Sequence, residues 1–409
     1  MLGLLKSVYA ELPRVYWTIW LGTLVNKLGS VVLPFLALYL TQERALSKSA
    51  TGLLISLYGV GAILAGLTGG MLADHVGRRF TLLLSLFGGA AAMLGIGAAR
   101  DLPMLALAVL LMGWLSEMYR PAVAALIADV VPPEKRIRAF GLLYWVINLG
   151  FAVAMTIGGL AASKSFLMLF VLDALTMTLY GVLVFFKVPE TRPIHPESSD
   201  KTARPGLLDV IADGPFLLLV GLVFGIALVM WQSGTSAPMD MTAKGLSKST
   251  YGALFAINGV LIALVQPRMT SWLAPKPRSM VLAISAVVFG IGFGLFGFVS
   301  GVTGYAVAIA IWTLGEIAHL PTANAVVADL APTKLRGRYQ GVYSMAWGFA
   351  SVAAPIVGGA VLDGPGARTL WVGCAVLMLL VGAGHLAMGS IIQGSVHQNE
   401  SAGTARRDA

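Results

Sequence analysis

Two pairs of ionisable residues interrupt long apolar stretches of this sequence. Glu117 precedes Arg120 by three positions, and Glu316 precedes His319 by three. Residues three apart lie on one face of a helix, so each pair can form a hydrogen bond or an ion pair. Either pair could be purely structural or could bind and release a proton. An acid beside a histidine suits proton exchange near neutral pH.

Two more charged residues lie inside apolar stretches. Lys27 follows Asn26 in the first stretch, and Asp173 lies in the sixth. A charge at the centre of a membrane costs about 2.5–3.5 kcal/mol on insertion scales, so such residues are functional candidates. Lys27 could hold a bound anion or pair with Glu117 or Asp173. Asp173 is a secondary proton candidate that could instead face a polar group of a neighbouring helix.

Neutral polar and aromatic residues complete the candidate set. They combine stacking faces with hydrogen-bonding groups, and could line a cavity or pack between helices. They are Asn148, Trp231, Gln232, Asn258 and Trp347. No metal site is expected, because Glu316 and His319 have no third ligand nearby in sequence. The lone Cys374 provides no disulfide framework, and we expect it to pack in its helix.

The composition indicates which elements position these residues. Of the 409 residues, 57% are hydrophobic and 11% are charged, with a mean hydropathy of +0.82. Soluble domains contain about a quarter charged residues, so this is an integral membrane protein. The apolar stretches are long and continuous, which favours membrane helices of about 20 residues over the short alternating strands of a barrel.

Twelve apolar stretches are bounded by charge, proline or glycine. They cover approximately 16–40, 50–72, 80–99, 103–131, 139–162, 166–187, 214–238, 249–268, 279–299, 303–331, 339–361 and 370–392. With a cytoplasmic N-terminus, nineteen Lys and Arg residues lie inside and seven outside. This bias predicts that both termini are cytoplasmic. The net charge of +9 is therefore a topology signal rather than a sign of nucleic-acid binding.

The second half of the chain repeats the first at an offset of 200 residues. Asp129 and Arg136, for example, recur as Asp329 and Arg336. A repeat of six helices is parallel and predicts two similar bundles facing each other across a central cavity. The polar interval 189–213 is a predicted cytoplasmic linker between bundles 1–188 and 214–392, and 393–409 is a cytoplasmic tail.

Glycines at helical spacing predict close packing of helix 2. Gly66 and Gly70 are four positions apart and form a smooth stripe against which another backbone can approach. A charged turn then follows between the second and third stretches. It reads Gly70-x-x-x-Asp74-x-x-Gly77-Arg78-Arg79.

This turn resembles the loop 2–3 signature of the major facilitator superfamily of secondary transporters, and the resemblance covers all twelve helices. The implied fold is an all-α integral membrane protein with twelve transmembrane helices in two pseudo-symmetric six-helix bundles. Within the superfamily the chain is most similar to the twelve-helix drug:proton antiporter group. On helix 5, however, Met155 stands where that group has proline, so this motif does not fix the direction of transport.

The resemblance also implies residues that gate the cytoplasmic face. Asp74 can meet positive charge or a helix N-terminus there, and the Asp129 and Asp329 carboxylates should form salt bridges with arginines of neighbouring loops. The gating candidates are Gly70, Asp74, Gly77, Arg78, Arg79, Asp129, Arg136, Asp329 and Arg336. The second-half turn has Ala274 in place of Asp74, which predicts that the latch lies mainly in the first half.

The leading functional expectation is a proton-coupled exporter of amphipathic small molecules, such as drugs or metabolites, in the cell membrane. The alternative is a proton symporter that imports a small organic solute such as a sugar, peptide or organic anion. We expect a monomer whose partners are its solute, protons and the lipid bilayer, without a cofactor or nucleic acid. The sequence has no phosphate-binding loop and no clustered nucleophile, acid or metal set, which argues against ATP-driven pumping and an enzyme; a non-transporting sensor is a further alternative.

Overall fold

The apolar stretches fold into long helices. The structure is a computed structural model that describes residues 12–191, 210, 212–331 and 336–389, without the side chains of residues 137, 328, 336 and 337. The helices are α1 (Arg14–Glu43), α2 (Lys48–His75), α3 (Arg78–Ala98), α4 (Leu102–Val130), α5 (Pro133–Lys164), α6 (Phe166–Lys187), α7 (Gly214–Ala243), α8 (Lys248–Leu273), α9 (Arg278–Leu295), α10 (Val302–Leu330), α11 (Arg336–Asp363) and α12 (Ala367–Ala387). Twelve described helices are long and apolar enough to cross a membrane, which confirms the predicted all-α fold.

Polar residues between the apolar stretches begin several helices. A side-chain oxygen of Ser47 accepts a hydrogen bond from Ala50 N at 3.1 Å, and Asp101 accepts one from Met104 N at 2.8 Å. At the start of α8, Ser247 accepts one from Thr250 N at 3.0 Å. These bonds satisfy backbone donors that have no partner within the first helical turn.

The first membrane helix is interrupted, which hydropathy does not predict. An α-helix ends at Gly29, a second runs over Val32–Leu38, and a π-helical turn covers Tyr39–Glu43. The second piece contains Pro34, which has no N–H to donate. The interruption exposes backbone groups inside an apolar region, and these groups need side-chain partners.

The fourth membrane helix is also interrupted, at Met118. Its α-helical pieces are Leu102–Glu117 and Tyr119–Val130. Pro121 follows within one turn and removes one backbone hydrogen bond. The interruption therefore lies between the two members of the predicted Glu117–Arg120 pair.

Helices α2 and α4 pack backbone against backbone. A Cβ added at Gly61 would meet Leu110 O, and one added at Gly113 would meet Tyr58 O, so both positions require glycine. A Cβ at Gly66 or Gly70 would meet no atom within 4 Å. The prediction that Gly66 and Gly70 form the close-packing stripe is therefore wrong.

The chain forms two compact units, and the division falls within α7 and α8. The first unit contains Met1–Ser198 and Gly234–Val260; the second contains Ser199–Ser233 and Leu261–Ala409. In the first unit, Tyr251 of α8 donates a hydrogen bond to Pro34 O at 3.2 Å. This grouping follows spatial contacts, whereas the bundles 1–188 and 214–392 follow the sequence repeat and stay a prediction.

Candidate functional site

Glu117 lies in a hydrogen-bonded cluster of the first unit. Its Oε1 accepts a hydrogen bond from Tyr58 Oη at 2.7 Å, and its Oε2 accepts one from Arg120 Nε. The side chain of Glu117 is 17% exposed and that of Arg120 is 62% exposed. The predicted i, i+3 ion pair is present, with the carboxylate on the inner side.

Tyr58 reaches Glu117 because α2 and α4 pack so closely. The backbone of Tyr58 rests on Gly113, which precedes Glu117 by four residues on the same face of α4. Tyr58 itself is buried. Sequence reasoning missed this partner, because Tyr58 is 59 positions from Glu117. The glycine at position 113 could have indicated that another helix approaches α4 closely near Glu117.

Lys27 lies over an aromatic ring that it shares with Arg120. The Lys27 Nζ is 5.2 Å from the ring centroid of Tyr119, and the Arg120 Cζ is 5.7 Å from it. Attraction between a cation and a ring face is worth about 0.5–2 kcal/mol. Among the described residues Lys27 forms no ion pair, so neither predicted pairing, with Glu117 or with Asp173, is formed.

A glycine of α5 sets the position of Lys27. A Cβ at Gly150 would lie 2.5 Å from Lys27 Cβ, so α1 and α5 meet at this residue. The Lys27 side chain is half-buried. The cluster therefore contains two cationic groups and one carboxylate within the membrane region.

Asp173 joins α6 to the interruption of α1. Its Oδ2 accepts a hydrogen bond from Val32 N at 3.1 Å, and Asp173 is 2% exposed. Val32 begins the second helical piece of α1, so this carboxylate satisfies a backbone donor that the interruption leaves unpaired. The structure thus gives Asp173 a capping contact.

Glu316 and His319 lie in the second unit and are buried, at 5% and 1% exposure. His319 Nδ1 is 3.0 Å from Ser285 Oγ of α9, and its ring centroid is 5.3 Å from that of His385 of α12. Sequence reasoning missed Ser285 and His385. The residues are 34 and 66 positions from His319, and no local pattern links them.

The neutral candidates divide between the two units. In the first unit Asn26 and Asn258 are buried, and Asn148 Nδ2 donates to Tyr144 O at 2.9 Å. In the second, Gln232 Nε2 donates to Ala354 O at 2.9 Å. Trp231 is half-buried and Trp347 packs against an apolar cluster. Gln232 and Asn148 thus have partners within their own units.

Arg78 is the centre of the charged turn. Its Nε lies 3.0 Å from Asp129 Oδ2, its Nη2 3.3 Å from Asp74 Oδ1, and its Nη1 donates to Ala73 O at 2.8 Å. Arg78 is 8% exposed, whereas the Asp74 side chain is 68% exposed. Arg79 does not share this role, because its Nη2 donates to Phe185 O at 2.6 Å.

Glu190 completes the charged turn and was missed because it lies at the start of the predicted linker. Its carboxylate accepts hydrogen bonds from Arg78 N at 2.8 Å and from Arg79 N at 3.1 Å, so it caps α3. Gly77 has φ +141°, and a Cβ there would collide with Glu190. Thr191 adds a hydrogen bond to Asp129 Oδ2 at 3.1 Å.

The second half repeats the central ion pair. Arg278 and Asp329 form an ion pair, at positions offset by 200 from Arg78 and Asp129. Arg136 donates from Nε to Val131 O at 3.1 Å, at the end of α4. The side chain of its counterpart Arg336 lies outside the described residues.

The arrangement matches a known class of membrane proteins. Residues 19–355 and 223–394 match the family model of the major facilitator superfamily, and the chain belongs to this family. It is a multi-pass membrane transporter of small-molecule substrates and not an enzyme. The resemblance predicted from the charged turn is confirmed.

Several characterised proteins are similar to this chain. The Na(+), Li(+), K(+)/H(+) antiporter of Planococcus maritimus is 27% identical over 360 residues, 80% of this chain and 84% of the relative. The quinolone resistance protein NorA of Staphylococcus aureus is 27% identical over 243 residues, 56% of this chain and 61% of the relative. The crystal structure of a point mutant of the nucleoside transporter NupG has a TM-score of 0.79 at 14% identity and covers 92% of this chain and 100% of that chain. The last likeness shows the fold alone.

Proposed function

We propose that the protein is a proton-coupled secondary transporter that exports amphipathic small molecules by alternating access. The observation that carries this proposal is the Glu117 cluster. A carboxylate inside the membrane region accepts hydrogen bonds from Tyr58 and Arg120, so it can hold a proton or an ion pair at one place. Exchange between these two states is the chemistry that proton coupling requires.

Protonation of Glu117 changes the charge of the cluster by one unit. The ionised carboxylate neutralises Arg120, whereas the protonated acid leaves the charge of the guanidinium unbalanced. Arg120, whose side chain is the more exposed of the two, then loses its anionic partner. A solute that contacts either residue is thereby linked to the proton.

The names of two relatives support separate parts of this proposal. The Planococcus relative exchanges alkali cations for protons by its name, and the Staphylococcus relative is a quinolone resistance protein. At 27% identity these names suggest solutes to test and do not give this chain its cargo. Alkali cations and a quinolone are therefore the first probes.

Proton symport of an organic anion is the second candidate, and Lys27 favours it. Lys27 and Arg120 share the Tyr119 ring, while Glu117 supplies one negative charge to this group. An anionic group at Lys27 would balance the second cation in an environment where an unbalanced charge is costly. Asp173 already accepts the Val32 N–H and makes no ion pair with Lys27 among the described residues.

The charge of the solute sets the sign of coupling. A cation that contacts Glu117 competes with a proton for the carboxylate, so its binding releases protons and gives antiport. An anion that contacts Arg120 competes with the same carboxylate, so its binding takes up protons and gives symport. The two candidates therefore predict opposite pH changes.

Proteoliposomes that contain a trapped pH dye separate the candidates. Norfloxacin, ethidium, the chlorides of Na⁺, Li⁺ and K⁺, and a set of small carboxylates are added outside without an imposed pH gradient. Antiport raises the luminal pH and symport lowers it, whichever way the protein is inserted. Empty liposomes and the Glu117→Gln variant are the controls. If no solute of this panel moves protons through the wild-type protein, the proposal is wrong.

We also propose that both termini are cytoplasmic and that the protein acts as a monomer in the cell membrane. The excess of Lys and Arg on one side supports this orientation. The Arg78–Asp129 pair and Asp74 would then form the cytoplasmic latch. Labelling of single cysteines at Arg100 and Lys187 in a Cys374→Ser background, with a membrane-impermeant reagent in whole cells, tests the orientation: only the first position should react.

A further inference from the structure

Three imidazole nitrogens in the second unit are buried and have no hydrogen-bond partner among the described residues. They are Nε2 of His319 and both ring nitrogens of His385. The two residues are 1% and 0% exposed. A buried polar group without a partner costs about 1–3 kcal/mol, so such a concentration of them calls for a functional explanation.

The hydrogen bonds around Ser285 define the tautomer of His319. Ser285 Oγ lies 2.9 Å from Leu282 O and donates its proton to that carbonyl. The same oxygen therefore accepts from His319 Nδ1, at 3.0 Å. A neutral ring then carries its proton on Nδ1, and Nε2 has the lone pair that can accept another proton.

Few other ionisable groups surround this pair. The segments 214–239 of α7, 279–295 of α9 and 344–362 of α11 contain no Asp, Glu, His, Lys or Arg. On α12, Cys374 is eleven residues from His385, about 16 Å along the helix. Glu316 precedes His319 by one turn on α10 and is 5% exposed, which makes it the nearest charged residue in sequence.

Among the described residues, the predicted cytoplasmic end of these helices adds neutral groups and charged groups that have partners. Tyr339 and Tyr343 of α11 belong to the apolar cluster that contains Leu282 and Met388. Tyr339 Oη donates to Asp213 Oδ2 at 2.6 Å, and Asp329 pairs with Arg278. His319 and His385 thus face each other between α10 and α12, and Glu316 lies one turn from His319 on α10.

We propose that His319 and His385 together bind one proton of the transport cycle, with Glu316 as the counter-charge. This inference rests on the proposed proton coupling and adds His385 as a residue that binds the proton. The arrangement in the structure suits the proton-free form, because a charged ring would be buried here without a hydrogen-bond partner among the described residues. A proton on His319 Nε2 would be shared with a nitrogen of His385, which accepts it as a hydrogen bond.

Proton binding at this place requires movement. An imidazolium buried without a partner is costly, and the described rings form no hydrogen bond with each other. The rings therefore bind a proton only if α10 and α12 bring their nitrogens within hydrogen-bond distance. This requirement links the protonation of the pair to the packing of two membrane helices.

Nitrogen-15 NMR of histidine-labelled protein in detergent micelles tests the pair directly, without a transported solute. The chain has five histidines, at 75, 195, 319, 385 and 397. The wild type, His319→Gln, His385→Gln and the exposed control His75→Gln are titrated between pH 5 and pH 9. His385→Asn is a second variant, and size-exclusion chromatography establishes that each is folded.

The expected result is that the rings of His319 and His385 titrate as a coupled pair. Removal of His385 should shift the His319 midpoint by about one pH unit or more, whereas His75→Gln leaves it unchanged. A His319 titration that is the same in both His385 variants overturns the inference, and so do two rings that stay neutral throughout. A coupled titration in a protein for which no solute moves protons would instead contradict the proposed function.

Discussion

At Glu117, replacement of one carboxylate oxygen by an amide nitrogen tests the proton-binding role of the residue without changing its size. Glu117→Gln keeps the size of the side chain and removes the ionisable group, so we expect it to abolish solute-driven pH changes in proteoliposomes. Tyr58→Phe removes one hydrogen bond to Oε1 and leaves the Arg120 ion pair, so it should slow coupled transport without abolishing it. Undiminished coupling in Glu117→Gln would remove this residue from the mechanism.

Asp173 is predicted to be a structural residue first and a proton carrier second. Asp173→Asn keeps an oxygen that can accept from Val32 N, whereas Asp173→Ala leaves this buried donor unpaired. We expect Asp173→Ala to lose about 1–3 kcal/mol of stability and Asp173→Asn to lose much less. Thermal unfolding in detergent measures this difference. If Asp173→Asn retains stability but loses proton-coupled transport, the proton role prevails.

The family resemblance implied the salt bridges of Asp129 and Asp329; the other contact that sequence reasoning found joins residues close in the chain. The spacing of Glu117 and Arg120 predicts their ion pair, because a helix brings positions three apart together. Other partners come from distant parts of the chain. Glu117 is contacted by Tyr58 of α2, His319 by His385 of α12, and Arg78 by Glu190 at the start of the predicted linker. Their positions depend on which helices pack together, and hydropathy does not contain that information.

At the scale of helices, the contact between α2 and α4 leaves no room for a side chain at Gly61 or Gly113. Gly113→Ala would press a Cβ against Tyr58 O, so we expect a loss of several kcal/mol, within the range for overpacked or strained sites, and displacement of Tyr58 from Glu117. Gly66→Ala is the matched control. It lies on α2 with no atom within 4 Å of an added Cβ, and should be neutral or slightly stabilising. Equal unfolding temperatures for the two variants would contradict the close contact.

The internal repeat predicts which helices correspond and does not predict how tightly they pack. At an offset of 200, Leu261 and Thr313 replace Gly61 and Gly113. The second unit has a cavity of about 200 Å³ that Thr270 of α8, Val281 of α9 and Pro321 of α10 help to line. Leucine and threonine have side chains that glycine lacks, so these two positions do not offer the second pair of helices the backbone contact that Gly61 and Gly113 allow. The sequence also does not predict the interruption of α1 at Ser30, because Gly and Pro are common in uninterrupted membrane helices.

At the scale of the whole molecule, hydropathy alone predicts the twelve spans because each must cross the same apolar layer. The grouping of Gly234–Val260 with the first unit could not be predicted in this way. It depends on contacts such as that of Gly252, where a Cβ would meet Met155 O of α5. Such contacts arise from the conformation that the molecule adopts, and the sequence repeat is the same in every conformation.

The proposed cytoplasmic latch would link local charge to the whole transport cycle. Asp74 is largely exposed, so its ion pair with Arg78 contributes about 0–1 kcal/mol and Asp74→Asn should leave the unfolding temperature nearly unchanged. We expect this variant to lower the transport rate while solute binding stays nearly intact.

Asp129 is 19% exposed and pairs with an arginine that is 10% exposed, so Asp129→Asn leaves a mostly buried cation poorly balanced and should cost up to about 3–5 kcal/mol. Initial transport rates, equilibrium solute binding and thermal unfolding of the two variants measure these effects. If Asp74→Asn loses solute binding but keeps normal turnover, Asp74 supports the solute site. If it is destabilised as much as Asp129→Asn, Asp74 supports the fold; either result would contradict its role in the movement of the molecule.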